Sequence, residues 1–164
     1  KLTEPVSIWW GLLDGNIDDN QKLDGVFIDN IWQNCIYNNK ASFIDSEWVW
    51  SDRIPALLLI YRSVIGFVSK DIGFLYRWKS SNRLLPQIYI IKTVADICNI
   101  EFSLKLLVSA IKLDLKFSKA SQDKSPIFFI SLIRLFIPMN ILRAKVLLTS
   151  FLARNISRIK NRLP

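Results

Sequence analysis

The chain has 164 residues, 51% of them apolar and 22% charged, with a net charge of +8, so it can build one folded domain or one domain with an appendage. It contains no histidine, two cysteines (Cys35 and Cys98) and five glycines. That composition excludes Ser-His-Asp and Cys-His catalysis, zinc-histidine centres, a disulfide scaffold and a four-cysteine zinc site, and no Gly-rich phosphate-cradling motif occurs.

In chain order, Thr3 caps a first helix, Pro5 sits in its first turn, and an apolar run from Val6 to Leu13 carries it to Asp14-Gly15. Residues 16–25 read as a polar loop rich in Asp and Asn, and Val26-Phe27-Ile28 as a buried strand stub. Cys35-Ile36-Tyr37 and residues 41–44 flank Asn38-Asn39-Lys40, the pattern of a β-hairpin. Pro55 then opens a helix that is apolar nearly all round, residues 56–68. A short helix over 71–79 and a second from Pro86 toward Cys98 follow. Ser103 caps an amphipathic helix with Leu104, Leu107, Val108, Ile111 and Leu115 at steps of three and four, and Lys105, Lys112, Lys116 and Lys119 on its other side. Residues 118–124 read as a linker, and Asn140 caps a last helix reaching about Lys160. The expected fold class is α+β: a small β-hairpin core with an Asp/Asn loop, then a mainly α-helical C-terminal part. The expected divisions are 1–69, 70–124 and 125–164.

Charge is sorted along this order. Residues 1–53 carry nine acids and four bases, a net −5, whereas residues 54–164 carry eighteen bases and five acids, a net +13. Residues 125–164 hold seven bases and no acid. Such a split predicts different partners for the two ends. An acidic, Asn-rich front suits cations or sugar hydroxyls, and a basic apolar tail suits an anionic membrane face better than nucleic acid. Arg62 interrupts the apolar run 54–68 and Arg134 interrupts 126–138, so neither approaches the roughly 20 residues of a membrane span. Residues 1–20 lack the pattern of a secretory signal. Free cysteines with no span predict a reducing cytoplasm, peripheral to the inner membrane face.

The densest cluster of chemistry lies in residues 24–62. Asp29 and Asn34 are spaced D-x-x-x-x-N, and Asp45 follows at the end of an apolar segment. Oxygen ligands of this kind suit Mg²⁺ with substrate phosphates completing its shell. Asp29 would take a hydroxyl proton while Asn34 and Asp45 hold the metal. This layout resembles the catalytic loop of kinase-like phosphotransferases. The same Asp and Asn are also ordinary turn residues that hydrogen-bond local backbone. Glu47 and Arg62 form a candidate structural ion pair between hairpin and helix, because Arg is the usual partner of a sequestered carboxylate. Trp48 and Trp50, like Trp9 and Trp10, suit a core or rim; beside acids they also suit sugar stacking. Cys35 reads as an inert core thiol.

A wider resemblance covers residues 8–68. Trp9 with Leu12-Leu13, Leu23-Asp24-Gly25, Ile28-Asp29 with Asn34, Phe43-Ile44-Asp45 with Glu47-Trp48, Pro55, and Tyr61-Arg62 occur in order. Together they resemble a region that follows the methyltransferase domain in bacterial polypeptides of surface-polysaccharide synthesis, which combine methyltransferase and glycosyltransferase modules. A chain that opens at Lys1 reads as a fragment, and the resemblance implies as its context a transferase acting on sugar or glycolipid intermediates. It implies an upstream catalytic domain of the same polypeptide as partner, and S-adenosylmethionine only through that domain. The alternative is a non-catalytic module that docks the enzyme to membrane or partners. In the tail, Ile141, Leu148, Leu152, Ile156, Ile159 and Leu163 fall on one helix face and Arg143, Arg154 and Arg158 opposite, the pattern of an interfacial helix, and equally of a helix packed on a parent domain.

Overall fold

A computed structural model describes residues 3–44, 48–70 and 86–121. Helix α1, Thr3–Gly11, buries Val6, Trp9 and Trp10, residues three and four apart that share one face. Four short strands follow: β1 (Lys22–Leu23), β2 (Cys35–Asn38), β3 (Lys40–Phe43) and β4 (Ile54–Pro55). Helices α2 (Ala56–Lys70), α3 (Pro86–Ile97) and α4 (Leu104–Ser121) complete the described order. The α+β class is therefore as the sequence predicts, with a hairpin region ahead of a helical part.

The hairpin is β2 against β3, with Cys35 opposite Phe43 and Asn38 opposite Lys40. Asn39 takes the left-handed conformation at its tip (φ 60°), which Asn tolerates better than most residues. Ile36 and Tyr37 are exposed, while the register partners Cys35 and Phe43 pack on the core. One end of the hairpin thus anchors it and the tip projects. The second pair, β1 with β4, is antiparallel and sets Lys22 opposite Pro55, bringing the Asp-rich loop to the start of α2.

The core is helical. Leu57, Leu58, Leu59, Ile60, Tyr61, Val64 and Val68 are all buried, so α2 is surrounded by α3, α4 and the segments before it. That burial explains why its sequence is apolar on every side. α3 contributes Ile90, Ile91, Val94 and Ala95, and α4 contributes Leu107, Ala110, Ile111, Leu115 and Phe117. Ser103 caps α4 as expected, its hydroxyl accepting the Leu106 N–H at 3.2 Å.

Three sequence expectations are corrected. Val26-Phe27-Ile28 is not a strand: Gly25–Phe27 is a 3₁₀ turn, capped by Asp24, whose carboxylate accepts the Val26 N–H at 3.0 Å. An Asx cap next to a glycine outweighs the β-propensity of three apolar residues. Leu104 is 58% exposed and leaves the buried stripe of α4, which begins with Leu107. The helix also continues through Ser118 to Ser121, into what reads as linker, since Phe117 is still buried and holds that turn on the core. The expected elements at 71–79 and from Asn140 lie outside the described residues, as does the whole of the expected 125–164 division.

Candidate functional site

The Asp/Asn loop lies along α2, held residue by residue. Trp9 of α1 donates its indole N–H to the Asn30 carbonyl at 3.0 Å. The Trp32 N–H bonds the Ser63 hydroxyl at 2.9 Å, and the Gln33 amide donates to the Ser63 carbonyl. The Trp32 ring stacks on Phe67 with centroids 5.5 Å apart. From the other side, the Trp50 N–H bonds the Gly25 carbonyl at 3.1 Å. A Cβ on Gly25 would lie 2.0 Å from the Trp50 carbonyl oxygen, so only glycine admits this approach.

Within the loop, Asp29 and Asn34 meet, but through the backbone: the Asn34 amide donates to the Asp29 carbonyl at 2.8 Å. The Asp29 carboxylate turns inward. Asp29 is only 9% exposed, which leaves a substrate hydroxyl almost no surface to reach. Its Oδ1 lies 3.8 Å from Nη2 of Arg62. Asp45, Glu47, Arg143, Arg154 and Arg158 lie outside the described residues. Among the described residues, no group of three or more His, Cys, Asp or Glu side chains gathers to hold a metal.

Arg62 is the centre of this region. Its Nη1 donates to the Ile28 carbonyl, its Nε lies 3.2 Å from Asp114 Oδ1, and its guanidinium carbon sits 4.8 Å from the Phe117 ring centroid. Trp48 and Trp50 meet the same Phe117 ring edge-on, at 6.1 and 6.2 Å. One arginine thus ties the loop, α2 and α4 together, using the planar fork and the stacking face that lysine lacks. Burial pushes the Asp114 carboxyl above its ordinary value, and the facing Arg62 opposes that rise.

Asp114 escapes the sequence reading, although it leaves a signal. It is the one acid in α4 and stands three residues after Ile111 and seven after Leu107, on the apolar stripe. An acid on a buried stripe demands a cation from elsewhere in the chain.

Comparison with family models, with curated proteins and with solved structures finds no match.

A second feature lies apart from the loop. A cleft of about 390 Å³ is walled by Asp19, Asn20, Lys22 and Glu101, with Leu57, Ile100 and Pro55 also lining it. Its rim is fixed. The Asp18 carboxylate accepts the Asn20 and Lys22 N–H groups at 3.0 and 2.7 Å and lies 3.4 Å from Arg53. Gln21 takes a left-handed conformation (φ 57°) and accepts the Glu101 N–H at 2.8 Å. Asn99, at φ 54°, stands just before the opposite wall.

Proposed function

We propose that this segment is a non-catalytic docking module of a larger transferase polypeptide. The observation that carries this reading is the pairing of Asp29, the best-placed candidate base, with Arg62 in a buried network that also engages Asp114. A general base must be within hydrogen-bond reach of the proton it takes. Here the carboxylate instead faces Arg62 of α2, which in turn engages Asp114 of α4, and Asn34 closes the loop on its own backbone. The transferase context rests on the ordered motifs of residues 8–68. Calorimetric titration of the full chain with Mg²⁺ or Mn²⁺ tests the reading. No heat that depends on Asp29 is expected, and saturable binding lost in Asp29→Asn would overturn it.

A second reading, in which the segment handles a sugar or glycolipid acceptor for the same polypeptide, is favoured by the cleft. Its acid and amide rim suits hydroxyl groups, and its apolar lining suits the C–H face of a sugar ring. Saturable chemical-shift changes at Asn20 and Glu101 on adding a monosaccharide would support it; unmoved signals at tens of millimolar would remove it.

A further inference from the structure

We propose that the lysine face of α4 is the docking surface of this module and that its partner is an anionic lipid headgroup surface. The proposal rests on the docking-module reading and names its partner. Lys105, Lys112, Lys116 and Lys119 are all exposed. At 3.6 residues per turn they fall within about 60° of one another, along about 21 Å of helix. The helix's one acid, Asp114, lies on the opposite, buried side and is engaged by Arg62. The exposed face therefore carries four positive charges with no acid of its own helix among them. An ordinary solvated helix face mixes both signs.

The surroundings favour lipid over other polyanions. Leu104 and Leu106, 58% and 38% exposed, flank Lys105 at the start of the helix. Exposed leucines beside a basic row suit the boundary between headgroups and acyl chains. The exposed lysine row has no aromatic residue among it on which bases would stack. The charge also continues in sequence, since residues 125–164 carry seven bases and no acid. Phosphate-bearing headgroups offer the complementary charge over an area that matches a row of this length.

The test is co-sedimentation of the full chain with vesicles of phosphatidylcholine alone or with phosphatidylserine added. Wild type is compared with the fourfold variant Lys105→Gln, Lys112→Gln, Lys116→Gln and Lys119→Gln, and with the threefold variant Arg143→Gln, Arg154→Gln and Arg158→Gln. Glutamine keeps helix propensity, so far-ultraviolet circular dichroism should be unchanged. Partition onto anionic vesicles should fall about fivefold per lysine removed, the equivalent of about 1 kcal/mol each. Added salt should weaken wild-type binding, and Leu104→Asn with Leu106→Asn should remove the part that resists salt. Undiminished binding by the fourfold variant would overturn the proposal, as would equal binding to neutral vesicles. Loss of affinity for an oligonucleotide with vesicle binding intact would overturn it as well. None of these outcomes touches Asp29, so the metal titration judges the docking-module reading separately.

Discussion

Arg62 Nε lies 3.2 Å from Asp114 Oδ1, joining the middle of α2 to the middle of α4 across 52 positions of sequence. Both side chains are less than one-fifth exposed, and the same guanidinium faces Asp29. Removing it takes from Asp114 the cation that faces it in a poorly solvated place and withdraws a positive charge from beside Asp29. Arg62→Ala should therefore cost about 3–5 kcal/mol in urea denaturation. In a double-mutant cycle with Asp114→Ala the losses should be well short of additive, because the second change removes a charge that the first left unpaired. Additive losses would show that the two groups do not act together.

The pH dependence of stability follows from Asp114. An unfolded chain releases this proton near the ordinary value of 3.8, and burial holds it to higher pH in the folded chain. Between the two values the folded state binds more protons. The stability that Asp114 contributes is full below the unfolded value and is lost as pH rises through the folded one. The stability of wild type relative to Asp114→Asn should thus decline as pH rises above about 4 and then level off. Denaturation midpoints of both proteins across that range measure the difference. A relative gain for wild type with rising pH would mean that attraction to Arg62 outweighs burial.

How far the sequence discloses this molecule depends on the range of each interaction. The hairpin turn at Asn38-Asn39 and the helices opening at Pro55, Pro86 and Ser103 rest on local rules, and they stand where those rules put them. Val26-Phe27-Ile28 fails because one side-chain hydrogen bond, from the Val26 N–H to Asp24, competes with a propensity summed over only three residues. The D-x-x-x-x-N spacing places Asp29 and Asn34 near each other, and the Asn34 amide meets the Asp29 carbonyl. Which atoms meet is set by α2 beneath them, and no spacing rule conveys that. Arg62 is legible as the partner of a sequestered carboxylate. Glu47 lies outside the described residues, and the carboxylates that Arg62 meets among the described ones are Asp29 and Asp114. The second is remote in sequence and is announced only by an acid on an apolar stripe.

The two thiols should differ in reactivity. Cys98 is 4% exposed, and burial, reinforced by Asp14, pushes its thiol up to about 12. Burial also raises Cys35, but that residue is only half-buried. Since the thiolate is the nucleophile, both should alkylate slowly at neutral pH, with Cys35 well ahead. Peptide mass spectrometry after timed iodoacetamide exposure should find Cys98 modified only as denaturant opens α3. Equal rates in the native protein would show that the C-terminal turn of α3 opens readily.

Two glycines offer a matched test of how the Asp/Asn loop is held. At Gly25 an added Cβ would meet backbone, the Trp50 carbonyl oxygen at 2.0 Å and the Asp52 carbonyl oxygen at 2.6 Å. Backbone cannot yield without moving the whole segment 50–52, and the Trp50 N–H to Gly25 bond would go with it. At Gly66 the nearest atom is the Gln33 amide nitrogen at 2.9 Å, the far end of a flexible side chain. That amide can swing away at the loss of its bond to Ser63, worth about 1 kcal/mol. Alanine gives back a similar amount by replacing glycine inside a helix, about 0.5–1 kcal/mol. Gly66→Ala should therefore stay within about 1 kcal/mol of wild type, whereas Gly25→Ala should cost at least the roughly 1–3 kcal/mol of an overpacked site. Thermal melts followed by tryptophan fluorescence report both, because Trp50 sits at the first contact and Trp32 near the second. Equal melting temperatures for the two variants would mean that segment 50–52 does not press on Gly25 in solution, and the loop would then depend on its bonds to α1 and α2.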